Sequence, residues 1–421
     1  MATDKLQSRG LVVLGAVLIQ LSLGAIYAWS VFTPSLKAAG WTVTDTQIVF
    51  SVALASFVIV MIWAGRQLTK IGPVKLAYAS AMVLGTAYIL AGLLGPTSFP
   101  VLILTIGVMG GAGIGLGYVV PIAVGMRWFP DKEGMITGVA VAGFGFGALG
   151  WVKAAENWGH LIENVGLDTT FIIYGIAFII LIGVGGTFMK FPPLGWKPKR
   201  WKPPKPSSFH KGHRGKVDFT SSQMLKTIQF YQLFIVYVLL AGAGLMAIGL
   251  MKLYPMGALT ANGYDALHAS AIAGTAMAVF YSIFNGLGRI IWGTLSDKLG
   301  RKISLTLLAV IQGCAIIAFA YSAGSETALY VNAAVIGFNF GGTLSLFPTM
   351  TADTFGTHNV GLNYPWMFLA YGVGGIFGPI VGGRLGDMGN FPMAFMGCGF
   401  LVLLGAVVMF LVKPPSEPES A

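Results

Sequence analysis

Arg289 lies roughly twenty residues into an apolar run covering 269–294, and such a side chain keeps its charge under all ordinary conditions. An ionised arginine near the centre of a bilayer costs at least about 2.5 kcal/mol, so it requires a partner or a function. The 15 acidic residues fall in loops, tails or outermost turns, with Asp45, Glu156, Asp297 and Asp353 nearest and none central. A ligand that brings the anion is the expected explanation. The planar guanidinium matches a carboxylate with two parallel hydrogen bonds. Asn285 stands four residues earlier, on the same helical face, where its amide can orient a carboxylate or bond a hydroxyl on it. The competing reading is an arginine that satisfies carbonyls of a broken helix or snorkels to an interface.

The elements that must position this pair follow from composition. Hydrophobic residues make up 55% of the chain and charged residues only 10%, with a mean hydropathy of +0.77. Water is not the main solvent of such a chain. A spanning helix needs about 20 apolar residues. Spans are expected near 11–34, 46–64, 75–95, 100–126, 134–154, 169–189, 229–251, 269–294, 303–322, 328–350, 360–382 and 393–412. The first run is longer than a signal-peptide core and lacks a clear cleavage site, so it is expected to be retained. Cys314 and Cys398 sit in apolar runs without Cys-x-x-Cys or His pairing, which argues against a disulfide framework or a metal cage. No cofactor is expected.

Net charge is +11, and it sorts by side of the membrane rather than suggesting nucleic acid. With both ends on one side, 21 of the 26 basic residues fall there. Lys5, Arg9, Arg66, Lys132 and Arg301 are among them, as are the basic residues of the loop about 191–228. Lys37, Lys153, Lys252 and Arg384 fall opposite. The positive-inside rule then places both termini in the cytoplasm of a multi-pass protein of the cell inner (plasma) membrane. In the central loop, Thr220-Ser221-Ser222-Gln223 has the pattern of a capping box for a short surface helix.

Offsetting the chain against itself by 227 or 228 residues aligns Gly65 and Gly72 with Gly293 and Gly300, Tyr27 with Tyr254, Pro121 with Pro348, and Gly134 with Gly361. Two six-helix halves are expected, 1–190 and 229–421, joined by a basic linker at 191–228. Pro121, Pro348 and Pro365 mark expected kinks. The segment from Gly293 to Lys302, with Asp297, Gly300 and Arg301, resembles the G-x-x-x-D-x-x-G-R-K loop of the major facilitator superfamily. In the first half Thr69 and Pro73 replace its Asp and Arg. This loop is expected to act in conformational change, not in substrate contact.

Three further segments carry a narrower resemblance: Gly24 to Phe32, Met224 to Tyr231, and Asn285-Gly286-Leu287-Gly288-Arg289. Together they are similar to the oxalate/formate antiporter family and related bacterial monocarboxylate transporters. The resemblance implies an all-α integral membrane protein with twelve transmembrane helices in two pseudo-symmetric halves, the major facilitator fold. It implies a transporter that alternates access to a site between the halves. It also carries Tyr27, Trp29, Tyr118, Phe144, Phe340, Leu344, Phe368 and Tyr371 to the wall of the substrate cavity, beside Arg289 and Asn285.

Two departures matter. Mammalian monocarboxylate carriers have Asp where Asn285 stands, so that motif does not secure proton coupling. Oxalate carriers have a second cation, a Lys, where Tyr371 stands. A single fixed positive charge leaves a dianion partly uncompensated on desolvation. The expected substrate is therefore a short monocarboxylate such as lactate, pyruvate or formate. Proton symport is the favoured coupling, with His268, Asp45, Asp353 or the substrate as proton carrier; anion exchange is the alternative. An intramembrane enzyme would need a nucleophile and base or a metal cluster at depth, a sensor would bind without flux, and a channel would need a continuous polar pore. A monomer in the bilayer, with no nucleic-acid partner, is expected.

Overall fold

The computed structural model describes residues 7–131, 133–156, 158–193, 196–198, 218–356 and 359–415, without the side chains of 133–140. Most of the basic stretch expected in the linker, residues 199–217, lies outside these residues, as do Lys5 and Lys132. Apolar segments in a bilayer must close their backbone hydrogen bonds internally, and among the described residues every regular element is helical. Among the described residues eleven helices are long and apolar enough to cross a membrane. A twelfth, Glu133–Ala155, completes the set. We number them α1 (Arg9–Ala38), α2 (Val43–Ile71), α3 (Pro73–Leu94), α4 (Phe99–Trp128), α5 (Glu133–Ala155) and α6 (Leu161–Thr187). The second set is α7 (Ile228–Leu250), α8 (Ala266–Leu299), α9 (Arg301–Ser322), α10 (Glu326–Phe355), α11 (Val360–Asp387) and α12 (Phe391–Leu411).

Helix ends follow local chemistry. Side chains of Ser8, Thr227, Asp265 and Asn390 accept from the first-turn amides of α1, α7, α8 and α12. The expected capping box of Thr220 and Gln223 forms, on the one-turn helix Ser221–Met224. Gly72 before α3 has φ 91° and ψ 148°, and Gly300 before α9 has φ 85° and ψ 149°. The same turn, open to glycine and strained for other residues, thus recurs at the aligned positions. α1 tightens to a 3-10 helix over Gly24–Phe32. α7 breaks at Met251 and Lys252, the aligned place, before a further helix Leu253–Ala261.

The chain forms two compact units: Met1–Tyr27 with Val52–Lys205, and Ala28–Ser51 with Pro206–Ala421. In the first, α1 packs on α4, α5 and α6, and α3 on α4 and α6. In the second, α7 packs on α10, α11 and α12, and α9 on α10 and α12. The pairings repeat. The α2–α4 joint of the first unit sets Gly111 against the carbonyl of Ala53 and Gly115 against that of Phe57. The α8–α10 joint of the second sets Gly337 against the carbonyl of Tyr281 and Gly341 against that of Asn285.

Segment 28–51 is held in the second unit by backbone-directed bonds. Gln47 Nε2 donates to the Gly249 carbonyl at the end of α7, while inside the segment Trp29 Nε1 donates to that of Thr46. At the start of α2, Asp387 accepts from the amides of Val43 and Thr44. Asp45 and Thr42 meanwhile bond each other's backbone amides.

Candidate functional site

α8 carries the central residues. It opens as an α-helix, widens to a π-helical stretch over Ala276–Tyr281, and regains α geometry from Ser282. Tyr281, Asn285 and Arg289 follow at four-residue spacing and so form one stripe. All are buried, with Asn285 at 0% and Arg289 at 3% exposure. Arg289 stands about 15 Å of helix from the end at Leu299, well inside the span. Arg289 Nε donates to Asn285 Oδ1 at 3.1 Å. That bond fixes the amide's orientation and leaves Nδ2 as a donor, buried and without a hydrogen-bond partner among the described residues. A permanent cation and a preset amide donor therefore share one face, which is a donor set for an anion.

α10 approaches this stripe closely because Gly341 has no side chain. A Cβ there would meet the Asn285 carbonyl and lie 3.2 Å from the Arg289 amide nitrogen. Next to Gly341, Phe340 places its ring 6.3 Å from Tyr281 and 6.5 Å from Tyr371. Tyr371 stacks on Phe368 at 5.0 Å, and Phe368 meets Tyr237. Leu344 follows Phe340 by one turn on α10 and is 7% exposed. Phe340, Phe368 and Tyr371 are thus brought into one aromatic wall, linked to the arginine stripe through Tyr281.

In the first unit Tyr27, Tyr118 and Phe144 come together. Their rings meet edge to face, Tyr27 on Phe144 at 5.1 Å and Tyr118 on Phe144 at 5.2 Å. Phe57, which the sequence did not single out, completes the cluster at 5.3 Å from Tyr118. It is the counterpart of Asn285 in the repeated helix joint. Trp29 belongs to the second unit, where its N–H serves the Thr46 carbonyl and its ring meets Phe32. Its position is that of a strut.

The loop residues also converge. The Arg301 guanidinium meets the Asp297 carboxylate and the Ser296 hydroxyl, and donates to the Gly293 carbonyl at 3.4 Å. Its Nε lies 3.5 Å from Asp353 Oδ2, which ties α9 to the end of α10. Two of the four lysines and arginines expected on the side opposite the termini are buried. Lys252, 1% exposed in the break after α7, donates to the Ser270 carbonyl on α8, and Lys153 in α5 is 6% exposed. Ser270 is about 28 Å of helix from Arg289, so Lys252 is no second cation for the same carboxylate. Among the described residues no group of three or more His, Cys, Asp or Glu is placed to hold a metal ion.

A family model, Major Facilitator Superfamily, matches residues 12–280 and 254–421. The chain is 28% identical to an uncharacterized transporter of this type, YhjX from Escherichia coli K12, over 88% of its own length and 86% of the relative's. It is 27% identical to the oxalate:formate antiporter of Oxalobacter formigenes, over 91% and 86% respectively. It is 24% identical to apicoplast pyruvate carrier 1 of Toxoplasma gondii, over 64% and 57%. The repeated helix pairings, the glycine turns and this match agree: the chain belongs to the major facilitator superfamily and is a multi-pass membrane transporter, not an enzyme.

Proposed function

We propose that this transporter carries short monocarboxylates such as lactate or pyruvate, with Arg289 and Asn285 holding the carboxylate and protons moving with it. The observation that carries the reading is the buried bond from Arg289 Nε to Asn285 Oδ1, which leaves Asn285 Nδ2 as a second donor beside the guanidinium. The wall of Phe340, Leu344, Phe368 and Tyr371 suits the apolar remainder of a small acid. Tyr27, Tyr118 and Phe144 supply a second aromatic surface. Both relatives with named substrates carry small carboxylates by their names. Transport follows alternating access. The charge bias supports a location in the cell inner membrane with both termini cytoplasmic, and the proposed working state is a monomer.

Exchange is the second reading. It is favoured by the uncharged Asn285 at the place where a proton-accepting acid would complete the arginine pair, and by the name of the Oxalobacter relative. Purified protein in liposomes with radiolabelled lactate separates the two. Accumulation under an inward proton gradient alone is the expected result. Uptake that needs internal counter-anion establishes exchange, and no uptake of any short monoacid refutes the substrate assignment.

The preference for one charge is tested at Tyr371. Introducing a second cation by Tyr371→Lys is expected to let oxalate compete with labelled lactate, lowering its inhibition constant by about tenfold, since one well-placed charge contributes about 1.4 kcal/mol. A variant that stays selective for monoanions contradicts the charge-counting argument.

A further inference from the structure

Outside the arginine stripe, two buried amides remain unused. Asn339 on α10 and Gln312 on α9 are both 0% exposed. Asn339 Oδ1 accepts from Trp292 Nε1 at 3.1 Å, so its Nδ2 points elsewhere as a donor. That Nδ2 has no hydrogen-bond partner among the described residues, and neither amide atom of Gln312 has one.

The two side chains share one interface and one level. A Cβ on Gly342 would meet both Trp292 and Leu308, so this face of α10 looks onto α8 and α9 together. Asn339 precedes Gly342 by three residues on that face, and Gln312 follows Leu308 by four on its own. α9 and α10 run in opposite directions, so these steps carry both amides the same way by similar rises. The repeat gives independent support. Gln312 aligns with Leu84, and in the register that matches Gly337 to Gly111 and Gly341 to Gly115 Asn339 falls on Gly113, where a Cβ would lie 2.6 Å from the Leu84 amide nitrogen. One interface is closed by glycine against leucine; its counterpart holds two amides.

We propose that Asn339 and Gln312 bind water between α9 and α10. Asn339 Nδ2 donates to the water, and the water donates to Gln312 Oε1. Buried amides keep their full hydrogen-bonding need, and polar interior sites meet it with ordered water. With the Trp292 bond, the water joins α8, α9 and α10 in one polar chain, and Trp292 stands three residues beyond Arg289. The site stands independently of the proposed substrate.

The test uses full-length protein in lipid nanodiscs. A map that resolves waters is expected to show density within about 2.7–3.2 Å of both amides. Gln312→Leu is expected to lower Tm by about 3 °C, because it strands Asn339 Nδ2. The Gln312→Leu, Asn339→Leu double variant is expected to lose less than the single losses combined. Loss of the Trp292 acceptor is common to Asn339→Leu and the double variant, and so cancels. A direct amide-to-amide bond in the map, a dry interface, or a Gln312→Leu protein with raised Tm overturns the proposal.

Discussion

Arg289→Ala is expected to abolish lactate uptake in proteoliposomes, lowering kcat/KM by at least about 100-fold, while the protein still elutes as a folded species. The magnitude follows from the chemistry. Each charge-assisted hydrogen bond contributes about 1.5–3 kcal/mol, and the fork makes two. Folding is expected to survive because a bilayer accepts alanine at depth more readily than arginine. Arg289→Lys refines the test. It keeps the charge and loses the planar fork, and is expected to fall between wild type and alanine with most of the loss in KM. Uptake that persists in Arg289→Ala removes the central claim, whatever the lysine variant does.

Gly341→Val is expected to have the second-largest effect, and for a different reason. The position faces backbone: the Asn285 carbonyl and the Arg289 amide nitrogen. Backbone cannot move aside as a side-chain tip can. A branched side chain must push α8 off α10, at a cost of about 3 kcal/mol, the upper range for overpacking. The expected readouts are a clear fall in Tm and loss of monodisperse protein on size exclusion, with transport lost in whatever remains folded. Gly293→Ala is the control on α8, since no atom lies within 4 Å of a Cβ built there. A Gly341→Val protein with wild-type Tm would show that the two helices are not in this contact.

The features legible in the sequence were those with a large cost or a strict geometry. Arg289 announced itself because a charge inside an apolar run is expensive, and Asn285 followed from helix spacing. The repeat was readable through Gly72 and Gly300 because their positive φ restricts the residue type at both turns. Phe57 and Tyr281 were not readable. An aromatic residue in an apolar run costs nothing unusual, so only the packing distinguishes a cluster member from its neighbours. Tyr281 did leave one signal, the four-residue spacing that continues the stripe of Asn285 and Arg289. The burial of Lys252 was not readable, because it depends on a helix break that folds the side chain onto the Ser270 carbonyl. Gln312 carried a signal of the same kind as Arg289, a polar group in an apolar run, at a lower cost. The membership of segment 28–51 in the second unit depends on tertiary contacts that no local pattern encodes.

The start of α2 bears on motion. Its first two amides, at Val43 and Thr44, are taken by a carboxylate that belongs to α11, while the third, at Asp45, is taken by Thr42 from the adjacent turn. Ownership of the cap is divided between a distant helix and the local chain. If α11 withdraws, two N–H groups pass to water and the Thr42–Asp45 box still closes the helix end. Asp387 is therefore a clasp that can release without unwinding what it holds.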